Sequence, residues 1–547
     1  MSLQLMTAAA SLTGPKSRNE DAWAVLAPQA ADASCATLLV LADGVSQCAD
    51  GLLAARRCVE ALAGDFHRVP DSWSPLQAIA TIARSQHLYL SEQAPKAGWL
   101  TTLSALALQD NQMHLWHVGD CRLYLWRNKQ WRCLSEDHSH VQPGLSHVLK
   151  QAMGNGAPLT PQLLSAELEA GDILLLASDG VWAYLKEAQL SPTELERNAL
   201  QLWVKRLVSQ ALAQGGRDNA TALAARVMAL GEAQACRPAL PLPGKLRVGD
   251  RLDGMEITAI LQRGRTIQVC LAQHPEYGQV VLKSLLPDLA DEARGRELLE
   301  QEQWLLRRMD GRHVPLIYRP RQSAFYLLMD YLEGETLAQR LAGGKLSVAQ
   351  AIALGVRLSL LLESLESQQV FHRDIKPENL LYSVDGQLCL LDFGIATLAG
   401  DDGFNEPLAG TPSFLAPELY QGAEFTHRCD AYAAAVTLYL ALTGRYPYGE
   451  IEPFQRPHFG EPVSARRWRS EVPAWLDELL LKALARDPAQ RFASAKQWRL
   501  ALEQGGIQRR DEPSEGPKGI HSELKSWQWI GVVSLFINLL LLVLIFF

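Results

Sequence analysis

No Cys-x-x-Cys pair occurs anywhere in this chain of 547 residues, and its nine cysteines stand singly. A scattered, odd count excludes a disulfide framework or a zinc knuckle and fits a reducing compartment. Excess positive charge is lacking as well. Lys and Arg number 52 against 60 Asp and Glu, a formal net charge of -8, so no global basic field draws in nucleic acid, and none is expected as a partner. The N-terminus has no charged-then-apolar signal peptide, and no internal repeat is found.

What is present begins with length. The chain is well beyond the size at which one hydrophobic core stops growing, so several compact units are expected. Residues 231–247 carry three prolines and little periodicity, which predicts a linker between a unit at 1–230 and a second at 248–503. Residues 504–526 are polar and rich in Gly and Pro, a flexible spacer. Residues 530–547 then read IGVVSLFINLLLLVLIFF without a charge, preceded by Trp527 and Trp529. The expectation is one membrane-spanning helix at 527–547, a tail anchor in the cytoplasmic membrane with everything before it in the cytoplasm.

In the first unit, TLLVLADG at 37–44 and ILLLASDG at 173–180 are continuous apolar runs that stop at Asp-Gly. Each reads as a buried strand ending in a turn, with Asp43 and Asp179 at strand ends. Asp21, in RNED at 18–21, and Asp218, in RDNAT at 217–221, add two more carboxylates. Singly, each Asp-Gly is an ordinary turn signal. Collected, such oxygens suit hard divalent cations.

Taken in order, NED (19–21), ADG (42–44), Thr101-Thr102, GDCR (119–122), EDHS (136–139), LKQAMG (149–154), GDILLLASDGVW (171–182) and GGRDNAT (215–221) resemble the metal-dependent type 2C protein phosphatases, the PPM family, over nearly all of 1–230. The resemblance implies an α-β-β-α sandwich of two antiparallel sheets flanked by helices, with two or three Mn2+ or Mg2+ ions at one end. It implies that Asp43 and the Gly44 carbonyl bind two ions, that Asp21, Asp179 and Asp218 complete the shell, that Glu20 supports it, and that Asp120 approaches a third ion. Two departures concern phosphate binding. Lys16 stands where the family usually has Arg, with Arg18 close by, and Lys meets phosphate as a point charge rather than a fork. Val45 stands where some members have a histidine acid.

In the second unit, VFHRDIKPEN (370–379), CLLDFG (389–394) and AGTPSFLAPE (409–418) place Asp374, Lys376, Asn379 and Asp392 on loops after apolar segments. A base, a charge neutraliser and a Mg2+ ligand would be grouped this way. Together these motifs resemble bacterial Hanks-type Ser/Thr protein kinases over about 250–503. The resemblance implies a bilobal kinase fold. It implies that Lys283 binds the ATP phosphates and pairs with Glu302, that Met329 is the gatekeeper, and that Asp330 to Leu332 form the adenine hinge. Asp374 orients the acceptor hydroxyl, Lys376 offsets γ-phosphate charge, and Asn379 and Asp392 hold Mg2+. Glu418 pairs with Arg491, and Asp430 anchors the following helix.

One departure is large. The phosphate-covering loop, GxGxxGxV in the family, here reads QRGRTIQV at 262–269, keeping only Gly264 and Val269. Without two glycines the backbone approaches the phosphates less freely. Arg263 and Arg265 offer compensating charge. The whole chain is therefore expected to be a multidomain α+β protein for reversible Ser/Thr phosphorylation, with protein substrates. The alternative is an active phosphatase governed by a weak or dead nucleotide-binding pseudokinase. Finally, 398–410 (LAGDDGFNEPLAG) has no Ser, Thr or Tyr; its acids Asp401, Asp402 and Glu406 read either as a solvated acidic loop or as carboxylates that pair with Arg373 in place of a phosphate.

Overall fold

The computed structural model describes residues 3–507 except 29–35, 47, 49, 71, 94–97, 140–148, 194–198, 232–239, 288–290, 310, 401–408 and 453–456. The predicted membrane span at 527–547 and the acids Asp401, Asp402 and Glu406 lie outside the described residues.

The first unit contains two five-stranded antiparallel sheets. One runs β1 (Gln4–Leu12), β10 (Ala220–Ala229), β9 (Ile173–Ala177), β6 (Arg122–Arg127), β7 (Gln130–Cys133). The other runs β2 (Asp21–Leu26), β3 (Thr37–Asp43), β4 (Leu103–Gln109), β5 (Gln112–Val118), β8 (Gln162–Glu167). Side chains alternate between faces, and both faces are covered, which is why β3 and β9 read as unbroken apolar runs. Leu39 and Leu41 meet Leu174, Leu176 and Leu223 between the sheets. Leu38 and Val40 turn outward under α1 (Gly51–Asp65) and α2 (Pro75–Gln93). On the far side, Leu175, Ala222 and Ala224 lie under Trp203, Val204 and Leu207 of α4 (Leu200–Ala213).

One strand end differs from expectation. The run 173–180 does not stop in a turn at Asp179. Ser178 is the N-cap of a one-turn helix, α3 (Asp179–Trp182). A carboxylate in the first turn of a helix faces free N–H groups and is favoured there.

The second unit starts with a six-stranded antiparallel sheet ordered β11 (Arg251–Leu252), β12 (Met255–Arg263), β13 (Ile267–His274), β14 (Gly278–Leu285), β16 (Leu327–Asp330), β15 (Ile317–Tyr318). A long helix, α5 (Glu292–Arg308), runs between β14 and β15. The Asp291 side chain caps α5 by accepting from the Arg294 N–H at 3.0 Å, and Arg307 and Arg308 sit in its last turn, where the helix dipole favours cations. A helical lobe follows, centred on α6 (Val348–Gln368) and α7 (His427–Thr443). By length and composition α6 alone among the described helices could cross a membrane. Its Leu354, Leu358 and Leu361 instead pack in a core with Leu438 and Leu442 of α7. The second half of the segment read as a linker is bonded to the sheet. The Phe325 N–H donates to the Pro241 carbonyl at 2.8 Å, and Gln268 Nε2 donates to the Gly244 carbonyl at 2.5 Å.

Candidate active sites

Antiparallel pairing sets Asp21, the first residue of β2, opposite Asp43, the last of β3. Asp179 follows β9, and Asp218 stands two residues before β10. The four carboxylates thus gather at one end of the sandwich from segments up to 197 residues apart in number. Gly44 is pressed between chains: a Cβ there would lie 2.5 Å from the Gly51 carbonyl and 2.9 Å from that of Glu20. Gly180 is tighter still, 1.9 Å from the Asn219 carbonyl. Thr102 fixes the Asp43 backbone, its Oγ1 accepting from the Asp43 N–H at 2.9 Å, while the Thr101 hydroxyl donates to the Asp43 carbonyl at 2.9 Å.

Like charges dominate the electrostatics. Burial, then Asp21, Asp179, Asp120 and Asp218, push Asp43 well above the usual carboxylate range. Burial raises Asp21 to about 6, against hydrogen bonds from Thr221 and Ser178 and with help from Asp179 and Asp218. Burial and Asp179 raise Asp120 to about 7, and burial and Asp218 raise Asp179. A group of carboxylates that repel one another this way calls for external positive charge.

The residues present fit hard divalent cations in donor chemistry. All are oxygens, and Asp21 Oδ1 and Asp179 Oδ1 are buried without a hydrogen-bond partner. Among the described residues no three His, Cys, Asp or Glu side chains converge tightly enough on one point to hold an ion without adjustment. Within the cluster the Lys16 ammonium pairs with Asp218 and donates to Ser46 Oγ at 2.6 Å.

Both expected phosphate contacts are thus committed elsewhere. Arg18 pairs with Glu20 at 2.9 Å and lies 3.7 Å from Asp50. Glu20 also accepts from Ser46 Oγ at 2.6 Å, and its carbonyl accepts from the Gly44 N–H at 3.2 Å. Burial raises the Glu20 carboxyl, but Ser46, Arg18 and Lys16 bring it below its ordinary value. The Asp120 carbonyl accepts from Trp182 Nε1 at 3.0 Å, and Arg122 lies 3.5 Å above the Trp182 ring while forking onto Asp137.

Two positioning groups escaped the sequence reading. The Ser178 and Thr221 hydroxyls donate to Asp21 Oδ2 at 3.1 and 2.5 Å. Asn219 is a third: its Oδ1 accepts from the Glu20 N–H at 2.8 Å, and its Nδ2 donates to the carbonyls of Thr13 and Arg18. The only local signal was Ser178 beside Asp179 and Asn219 beside Asp218, with Thr221 three residues on.

In the second unit, Lys283 on β14 lies opposite Val269 on β13. Its Nζ stands 2.8 Å from Glu302 on α5 and 2.8 Å from Asp392. Burial alone lowers a lysine, but these two carboxylates raise Lys283 above its ordinary value. Burial would raise Asp392, yet Lys283 holds it below the usual carboxylate range. Asp374 Oδ1 accepts from the Thr411 hydroxyl at 2.9 Å, and its Oδ2 pairs with Lys376 at 2.6 Å. Asn379 Nδ2 reaches Asp374 at 3.0 Å, and Lys376 also donates to Thr411 at 2.9 Å. Asp430 accepts the N–H groups of His372 and Arg373, and Arg491 forks onto Glu418 at 2.7 and 2.6 Å. Met329 and Asp330 end β16, whose Asp330 carboxylate accepts from the Tyr318 hydroxyl, and Leu332 follows in the chain.

The phosphate-covering loop is a short turn from Gly264 to Thr266, closed by the Gly264 N–H on the Ile267 carbonyl at 2.9 Å. Arg263 does not face it. Its guanidinium donates to the Leu246 carbonyl, tying β12 to the strap before the sheet. Arg373 lies over the Phe425 ring at 5.4 Å, and the acids expected to meet it are outside the described residues.

Comparison with known proteins agrees with this division. Residues 12–224 match the family described as Protein phosphatase 2C, and residues 256–500 match the Protein kinase domain. The Mycobacterium tuberculosis serine/threonine-protein kinase PknD is 32% identical over 259 residues, 46% of this chain and 39% of its own length. The Bacillus subtilis serine/threonine-protein kinase PrkC is 29% identical over 259 residues, 46% of this chain and 40% of its own. The chain thus spans less than half the length of these curated relatives. Among solved structures, the Mycobacterium tuberculosis serine/threonine phosphatase PstP/Ppp shares 27% identity at a TM-score of 0.35, covering 41% of this chain and 99% of that one. The chain carries a protein phosphatase 2C domain and, after it, a Ser/Thr protein kinase domain.

Proposed function

We propose that one polypeptide both adds and removes phosphate on protein Ser and Thr residues, with the phosphatase within 1–230 and the kinase within 248–503. The observation that carries the kinase half is Lys283, held at 2.8 Å by both Glu302 and Asp392 although the phosphate loop has lost two glycines. Lys283 would neutralise ATP phosphates, and the 330–332 backbone would take the adenine. Asp374 would accept a hydrogen bond from the acceptor hydroxyl, the interaction it already makes with Thr411. Lys376 would offset γ-phosphate charge beside it, and Asn379 and Asp392 would hold Mg2+.

In the phosphatase half, Asp21, Asp43, Asp179 and Asp218 with the Gly44 carbonyl would hold two Mn2+ or Mg2+ ions, and Asp120 would serve a third. Bound there, such ions supply a low-pKa water and neutralise charge on the phosphoryl group. The chain's own part is orientation. Ser178 and Thr221 fix one Asp21 oxygen and leave the other free. Lys16 and Arg18 put positive charge at the mouth of the cluster. Residues 527–547 would tether both domains to the cytoplasmic membrane, and recovery of a chain lacking 524–547 in the membrane pellet would refute that part.

The glycine-poor loop, with Arg263 turned away to Leu246, favours one second reading: a nucleotide-binding pseudokinase that governs the phosphatase. Incubating the soluble chain with labelled ATP, Mg2+ and a generic protein acceptor separates the two. Asp43→Asn is included so that the phosphatase cannot erase the label. Transfer that disappears with Asp374→Ala supports a kinase; ATP binding without transfer supports the pseudokinase.

A further inference from the structure

The two domains touch at a place neither chemistry requires. Asp65, the last residue of α1, forms an ion pair with Arg308, the last residue of α5. Trp73 packs edge-on against Trp304 with ring centroids 5.0 Å apart, and the Ser72 hydroxyl donates to Glu300 at 2.5 Å. Glu300, Trp304 and Arg308 recur every four residues, so they share one face of α5. Glu302 lies about 200° around the helix from Glu300, on the face that meets Lys283. The phosphatase domain therefore grips the back of the helix whose front carries the ion pair to the ATP-binding lysine.

The grip spans both kinase lobes. Arg308 also donates to the Gln368 carbonyl at 3.3 Å, and Arg57 of α1 donates to the Ser367 carbonyl at 2.8 Å, both at the end of α6. At Gly400, six residues beyond the Asp-Phe-Gly at 392–394, a Cβ would stand 3.1 Å from Leu88 and 3.2 Å from Arg84 of α2. The contact is built like an interface core. Trp304 is 1% exposed, and the Arg308 side chain 6%. Buried Trp and Arg are the residues that carry most binding energy at such surfaces. Burial works against each charge of the pair, raising Asp65 and lowering Arg308, so neither is comfortable without the other.

We propose that the phosphatase domain is the positioning partner of the kinase in cis: by docking on the outer face of α5 and the end of α6 it holds Glu302 on Lys283, so that phosphoryl transfer depends on this contact and not on phosphatase turnover. The inference rests on the kinase reading above. Its consequence is a one-way structural dependence, with the kinase needing the phosphatase domain and the phosphatase indifferent to the kinase.

The test uses the full chain. In an Asp43→Asn background, Asp65→Arg should lower kinase turnover about tenfold or more. In the otherwise wild-type chain the same substitution should leave hydrolysis of a phosphothreonine peptide within about twofold, which also reports folding. The charge swap Asp65→Arg with Arg308→Asp should recover most of the lost kinase turnover. Amide exchange across 292–308 should rise in Asp65→Arg and return in the swap. A parent chain that transfers no phosphate sinks the kinase reading and this inference with it. With an active parent, three results each overturn the inference alone. The first is kinase turnover unchanged or raised in both Asp65→Arg and the milder Asp65→Asn. The second is a loss shared equally by the phosphatase. The third is a loss that the swap does not recover.

Discussion

Asp43 and Asp392 invite comparison. Each is an aspartate before a glycine or a Phe-Gly, each stands at the end of an apolar run, and each lies in a candidate catalytic centre. Their surroundings drive them in opposite directions. Asp43 faces Asp21, Asp179, Asp120 and Asp218 and is pushed well up, whereas Asp392 faces Lys283 and is held down. The first centre collects negative charge and leaves oxygens unpartnered, so it is incomplete without cations. The second carries its own cation, Lys283, between two carboxylates. An acidic motif says little about charge state until the positive charge around it is known.

The largest expected effect breaks the first centre. Asp43→Asn, or a chelator, should lower phosphatase turnover on a phosphothreonine peptide by about a hundredfold or more and leave kinase turnover in place. The mirror experiment breaks the second. Lys283→Ala or Asp374→Ala should lower transfer from ATP by about a hundredfold and leave the phosphatase untouched. Near-wild-type turnover in either variant would remove the corresponding assignment.

A pH series sharpens the contrast. A cation entering the first centre must displace protons that Asp21 and Asp120 hold up to about 6 and about 7. Lowering the pH from 7.5 to 5.5 should therefore weaken apparent Mn2+ affinity by about tenfold or more, read by calorimetry on the Asp374→Ala chain. Nucleotide binding should change less over that interval: Lys283 is shifted upward and Asp392 downward, both away from it, and only Glu302, raised by burial against the pull of Lys283, moves toward it. Equal pH dependence in the two titrations would contradict the comparison.

Much of both centres could be read from local sequence, because buried strands announce themselves as apolar runs and their ends as Asp-Gly or Asp-Phe-Gly. Pairs such as Lys283 with Glu302 and Glu418 with Arg491 followed from the family resemblance, and what escaped were the other contacts set by distant neighbours. Lys16 meets Asp218 only because β1 and β10 pair, and no local pattern foretells that a phosphate-binding lysine stands on a carboxylate. The run ending at Asp179 continues into a one-turn helix with Ser178 at the N-cap position but its hydroxyl turned to Asp21, a choice hidden in a sequence that equally suits a turn. The junction of Trp73 with Trp304 has no signature at all, since each tryptophan alone looks like ordinary core. Arg263 reads as a phosphate contact by position, but the strap at 241–246 supplies a carbonyl that claims it.

That last point sets the smallest expected effect. The turn from Gly264 to Thr266 is short because β12 runs on through Arg263 and β13 begins at Ile267, with Thr266 accepting the Leu286 N–H at 2.8 Å. Gln262 and Ile267 are strand residues here, and glycine in a strand interior costs order. Gln262→Gly with Ile267→Gly should therefore act twice. It should free the backbone to approach the phosphates and lower the ATP KM about threefold, and it should lower the melting temperature of the kinase transition by a few degrees. Arg263→Ala separates these effects, because it releases the strap without adding a glycine. If the loop's rigidity comes from the missing glycines, Arg263→Ala leaves the ATP KM unchanged and costs only stability. If instead the tie to Leu246 holds the loop away from the nucleotide, Arg263→Ala alone tightens ATP as much as the glycine pair does. An ATP KM indifferent to all three substitutions would show that this loop no longer contacts the phosphates, and that Lys283 and the ions on Asn379 and Asp392 hold the nucleotide without it.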